Sequence, residues 1–247
     1  MSNGTKVKKR DGRIESLDLE KMHKMVEEAC KGLAGVSASQ VEIQTGIQYY
    51  DGMTTAEIQE ILIKSASDLI TLDNPNYQFV AARLLLFAVR KALYGRTKEL
   101  PPLENHIYNC TNIDVYDKGL FDKYSLEEIQ KADSYIDHDR DLLFTYAGLR
   151  QVVDKYLVQD RSTGKVYETP QFMYMMIALT IFSEYPKETR LNYVRRYYDA
   201  ISRHRINIPT PIMAGVRTPI RQFASCVLVD IDAVSYTHLT LPTTPYV

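Results

Sequence analysis

The sequence predicts a mainly α fold: a β-hairpin capping a four-helix unit, then a second helical region with its own small hairpin, then a strand. Three observations predict it. Apolar residues recur at helical spacing through most of the chain. Helix starts are marked by Ser/Thr-x-x-Glu capping boxes or by Pro in the first turn. Hairpins are read at two Gly-containing turns, 11–12 and 163–164.

The hairpin is KVKKRDGRIES, 6 to 16, where Asp11-Gly12 suits the positive φ angles of a type I′ turn. The first helix follows from about Asp18, which suits an N-cap, to Leu33, with Met22, Met25, Val26, Ala29, Cys30 and Leu33 on one face. A second, short helix is expected at the capping box Ser39 to Glu42, and a third at Thr54 to Glu57. Asn74-Pro75 opens a fourth, which carries Tyr77, Val80, Ala81, Leu84, Leu85 and Ala88 inward and ends near Lys91 and Gly95. The Pro-containing stretch 96–106 is the best boundary in the chain. Beyond it come a capping box at Ser125 to Glu128, an apolar-periodic segment near 140–157, and a hairpin turning at Thr163-Gly164. Thr169-Pro170 opens a buried helix and Pro186 another, reaching Ser202; strands are expected in earnest only after Pro211.

The 247 residues, 45% of them hydrophobic, suffice for one large domain or two modest ones. Basic and acidic residues nearly cancel, 30 against 31, so no global field recruits nucleic acid or an anionic membrane, and any polyanion must be bound locally. The N-terminus MSNGTKVKKRDG lacks the apolar core of a secretory signal, which points to the cytoplasm. The longest apolar run, 172–182, is well short of the ~20 residues that span a bilayer. Cys30, Cys110 and Cys226 lie far apart with no CxxC pair, against a zinc ribbon or a disulfide framework.

Lys9 and Arg10 sit beside a tight turn, and Glu15 to Lys21 lead into the first helix. Helix N-terminal N–H groups plus two cations could hold a triphosphate without a P-loop. Spacing alone favours a solvated basic hairpin, and Lys91 reads as a solvated lysine at a helix end. Cys226, among Phe223, Val227 and Val229, reads as a small core hydrophobe on a strand, while Thr210 and Ser225 read as hydroxyls satisfied by backbone. His138, in IDHDRD, organises a helix entrance better than it binds metal.

VKKRDG followed by ESLDLEKM, the stretch YYDGMTTAEIQEILIKSASDLI, and a last helix ending in VRKALYG closely resemble the ATP-cone domain of ribonucleotide reductases. IDHDRD, YPKETRLNYVRRYYDAISRHRINIPTPIMAGVRTP and RQFASCVL resemble the N-terminal helical domain and first barrel strand of the class I large (α) subunit. The resemblance runs in order from residue 5 to about 232. It implies an ATP-cone allosteric domain over 1–95, the helical domain over 96–209, and the start of a ten-stranded α/β barrel over 210–232. It further implies ATP or dATP as allosteric effectors, bound by Lys9, Arg10, Glu15, Ser16, Leu17, Asp18, Leu19, Glu20, Lys21, Thr55 and Lys91. Where some relatives place a histidine, this chain has Gln59. Cys226 resembles one of the two redox thiols that deliver electrons to the ribose, and Thr210 and Ser225 match substrate-contacting positions.

What the resemblance implies for the parent protein is a ribonucleoside-diphosphate reductase. Its substrate is a ribonucleoside diphosphate, and its partners are a second large subunit, a small (β) subunit with the metal-radical cofactor, and thioredoxin or glutaredoxin. No metal is expected in this chain, and its charge balance and short apolar runs lead to no expectation of nucleic acid or membrane as partners. Residues 233–247, AVSYTHLTLPTTPYV, lack the aspartate and helix start of the family. They are expected to be an unrelated, disordered tail from a truncated or artefactual gene end, leaving the chain inactive by itself. The alternative reading is a non-catalytic ATP/dATP-binding regulatory module.

Overall fold

A computed structural model describes residues 5–45 and 49–226. Strand β1 (Lys6–Lys8) pairs antiparallel with β2 (Ile14–Ser16), Lys6 opposite Ser16, as a hairpin should. The turn differs from expectation. Lys9 accepts from Gly12 N at 3.0 Å and donates to Arg13 O at 2.8 Å, and only Gly12 has a positive φ, 87°. This is a three-residue loop closing on a left-handed glycine, which lets Asp11 keep a negative φ while its carboxylate accepts from Arg13 N at 3.1 Å. A third strand, β3 (Met53–Thr54), runs parallel to β1 with Met53 opposite Val7, giving the order β2-β1-β3. Two residues carry no readable strand period, so the sequence does not announce this pairing.

Helix α1 (Leu19–Cys30) starts as expected, with the Asp18 carboxylate accepting from Lys21 N at 2.9 Å. Helix α2 (Ala38–Thr45) does not use the expected Ser39–Glu42 box. It begins two residues earlier than that box would start it, because Tyr77 OH fixes Ser37 N at 3.0 Å, and Glu42 turns instead to His23 Nδ1 at 2.8 Å. Helix α3 (Thr55–Asp68) has its full capping box, Glu57 N to Thr54 Oγ1 at 3.2 Å and Thr54 N to Glu57 Oε2 at 2.7 Å. Thr54→Ala removes one half of it, and thermal melts should show the unfolding temperature falling by about 2–4 °C.

Helix α4 (Tyr77–Tyr94) is the central beam. It packs on α1 and α3 along one side and on α7 (Tyr146–Gln151) along the other, and it stops at Gly95, φ 70°. Helices α5 (Leu103–Asn112) and α6 (Leu126–Asp133) lead to a 3-10 turn at His138–Leu143, then α7 and a π-type turn at Val152–Tyr156. The second hairpin is β4 (Gln159–Asp160) with β5 (Lys165–Val166), turning through Gly164 at φ 70°. Helix α8 (Pro170–Ile181), mostly apolar, is buried on all sides from Pro170 to Leu179, and α9 (Lys187–Ser202) covers it.

The end of the described chain corrects the sequence reading. Residues Thr210–Gly215 form a short helix, α10, with Pro211 in its first turn, where a fixed φ favours a helix start. Residues 221–226 are exposed and belong to no strand, so Cys226 sits in solvent and not on a buried strand. A strand needs a neighbour to take its N–H and C=O groups, and none borders this stretch among the described residues. The expectations for 227–232 and for the tail 233–247 lie outside the described residues.

Candidate functional site

The hairpin, the start of α1, the first turn of α3 and the last turns of α4 converge on one cleft, because β1 is pinned between β2 and β3 and β3 runs directly into α3. Lys9, Leu17, Asp18, Lys21, Thr55 and Lys91 line it together with Val7, Met22, Met25, Ile58 and Gln59. Its enclosed volume is about 70 Å³. Pockets that swallow a drug-sized ligand run to roughly 300 Å³ or more. The cleft therefore takes one end of a ligand against its apolar floor, Met22, Met25 and Ile58, and leaves the remainder over its cationic rim.

That rim is strongly electropositive. Burial holds the Lys91 ammonium below its ordinary pKa, and the positive charges of Lys21, Arg10 and Lys9 lower it further. Neither Lys91 nor Lys21 makes an ion pair among the described residues, and Lys9 pairs with Glu15 at 3.2 Å. Arg10, whose pKa burial also lowers, donates to Gln59 Oε1 at 3.1 Å. Gln59 is 6% exposed, and its amide nitrogen faces only Met25 Sδ at 3.9 Å. Lys21 and Lys91, cations without an ion-pair partner among the described residues and close to Lys9 and Arg10, make a site for a polyanion, whose charge relieves their mutual repulsion.

Among the sequence-predicted residues, Arg10 reaches this cleft through Gln59. Glu15, Ser16, Leu19 and Glu20 are exposed and do not line it; Glu20 pairs with Lys24 at 2.7 Å. The floor residues Met22 and Met25 belong to the apolar face of α1, and helical spacing does not tell a core from the wall of a cleft.

Thr210, Ser225 and Cys226 are not brought together in the same way. Thr210 lies at the mouth of a cavity of about 580 Å³ between α7, α9 and α10, its Oγ1 3.4 Å from Tyr156 OH. Ser225 and Cys226 are exposed outside that cavity, their Oγ and Sγ 3.8 Å apart.

A buried polar cluster that no local motif signals ties α10 to the core. Arg217 and Glu168 are both fully buried and paired, with Arg217 Nε 2.9 Å from Glu168 Oε2. The guanidinium also donates to the carbonyls of Tyr156 at 2.9 Å and Met213 at 2.5 Å. Glu168 accepts from Val158 N at 2.7 Å and from Tyr116 OH at 2.5 Å, and Tyr116 OH meets His106 Nε2 at 2.9 Å. Burial brings His106 down to about 4 and pushes the neighbouring Cys110 thiol up to about 12. Cys110 is thus a protonated core thiol.

The comparisons with known proteins follow the same division. Residues 5–92 match the ATP cone domain, and residues 142–221 match the ribonucleotide reductase all-alpha domain. The chain is 48% identical over 241 residues to ribonucleoside-diphosphate reductase 1 subunit alpha of Escherichia coli (strain K12), covering 96% of this chain and 32% of the relative. It is 49% identical over 232 residues to the subunit alpha of Haemophilus influenzae, covering 94% and 31%. With the subunit alpha of Enterobacteria phage T4 it shares 45% over 224 residues, covering 90% and 29%. The chain spans about a third of the length of these curated relatives. With both domains matched in order and nearly half of its residues shared, the chain belongs to the ribonucleotide reductase large-subunit (α) family.

Proposed function

We propose that this chain supplies the nucleotide-sensing and helical parts of a ribonucleoside-diphosphate reductase large subunit, with ATP and dATP competing for the cleft between the hairpin and α4. The observation that carries the reading is the convergence of Lys9, Arg10, Lys21 and Lys91 on a cleft with an apolar floor, with no acidic partner for Lys91 among the described residues. The base lies on Met22, Met25 and Ile58, the phosphates meet the ammonium groups, and the exposed N-terminus of α1 adds N–H donors. The regulatory unit is assigned to 1–95 and the helical unit to 96–209.

In the whole protein the substrate is a ribonucleoside diphosphate, contacted by Thr210 and Ser225. Two thiols, one of them Cys226, are oxidised to a disulfide as the 2′-hydroxyl leaves as water; thioredoxin or glutaredoxin then restores them. The second thiol is neither Cys30 nor Cys110, which lie at the core. The radical comes from a metal-containing small subunit, and the large subunit pairs with a second copy. No described helix is long and apolar enough to cross a membrane, and the proposed location is the cytoplasm.

Calorimetric titration of this chain with ATP and dATP tests the sensing role. Saturable binding is expected, weakened roughly ten- to hundredfold by Lys91→Ala, the range for losing a charge-assisted hydrogen bond. Absence of saturable binding to the folded wild-type chain sinks the reading. The residues that line the site all lie within 7–91, which also suits the alternative of a non-catalytic regulatory module.

A further inference from the structure

Arg90 and Lys91 are neighbours on α4 and therefore point about 100° apart around the helix. Lys91 faces the nucleotide cleft. Arg90, 5% exposed, faces the helical unit, where its Nη2 donates to Asp141 Oδ2 at 2.9 Å and to His138 O at 2.7 Å. Its Nη1 reaches Thr97 O at 3.4 Å.

Asp141 is 1% exposed and is itself held from two further helices. Its Oδ1 accepts from Gln171 Nε2 of α8 at 2.8 Å, and Gln171 Oε1 accepts from Tyr198 OH of α9 at 2.7 Å. Helix α4 ends at Gly95, one turn beyond Lys91, so Lys91 sits in the part of the helix where backbone hydrogen bonds run out and fraying begins. Arg90 is the clamp on that last stretch.

We propose that Asp141 and Arg90 are positioning residues for the nucleotide site. Their buried pair fixes the roll of the last turns of α4, and so the direction of the Lys91 ammonium. The coupling runs both ways, as linkage requires: a nucleotide held by Lys91 tightens the turn at His138–Leu143, which belongs to the helical unit. The inference rests on the nucleotide reading and adds to it a mechanical route out of the cleft.

A double-mutant cycle read by ATP calorimetry on the 247-residue chain separates positioning from mere structural support. Asp141→Asn is expected to weaken ATP binding about five- to tenfold in the wild-type background, and less than about twofold once Lys91→Ala is present. An equal loss in both backgrounds, or no loss in the wild-type background, overturns the inference while leaving nucleotide binding intact. If the wild-type chain binds no ATP, the functional reading fails first and takes this one with it. Should Asp141→Asn fail to fold, amide exchange on the wild-type chain decides. ATP should slow exchange across 138–143 in wild type and not in Lys91→Ala, and unchanged exchange in wild type overturns the proposal.

Discussion

Glu168→Ala is expected to destabilise the chain by about 3–5 kcal/mol, the cost of stripping the partner from a buried ion pair. Arg217 is fully buried, and its remaining partners are the carbonyls of Met213 and Tyr156, which cannot neutralise it. The same substitution orphans Val158 N–H and leaves Tyr116 OH, which also gives its hydrogen bond to this carboxylate, with His106 Nε2 as its remaining partner. The double replacement Glu168→Leu/Arg217→Met removes the charge problem and should recover part of the loss, though not the hydrogen bonds that Val158 N–H and Tyr116 OH gave to the carboxylate. Urea unfolding measures both. A Glu168→Ala variant within about 1 kcal/mol of wild type would show that the pair is solvated and that α10 is not anchored through it.

Acidification should weaken the fold between pH 6.5 and about 4. Burial lowers His106 and His138 to about 4 in the folded chain. Both rings pack on Phe172, His106 stacked at 4.2 Å and His138 edge-on at 5.0 Å. In the unfolded chain each returns to about 6.5. Below that value the unfolded state binds protons that the folded state refuses, so stability present above pH 6.5 is lost as pH falls toward 4. The shift corresponds to about 3 kcal/mol for each ring, as an upper value. Urea midpoints taken at intervals from pH 7.5 to 4.5 should decline through this window, with a shallower decline in His106→Gln. A flat profile would mean that both rings take up protons without leaving their packing.

Much of this protein is legible in its amino-acid sequence alone. Helical spacing, the Thr54–Glu57 and Ser125–Glu128 boxes and the prolines at 170 and 186 place helices α3, α6, α8 and α9 near their observed starts, because caps and first-turn prolines act within four residues of chain. The basic hairpin and the resemblance it carries point to Lys9, Arg10, Lys21, Thr55 and Lys91, which surround one cleft or its edge. What the sequence does not determine depends on partners distant along the chain. The Tyr77 hydroxyl overrides the Ser39–Glu42 box, and two residues at 53–54 become a strand only because Val7 and Lys8 lie beside them. No local motif marks Glu168 and Arg217 as partners, and folding brings them together across 49 positions. Local hydrogen bonds are written in adjacent residues, whereas the stability of a buried charge depends on which group the tertiary structure sets opposite it.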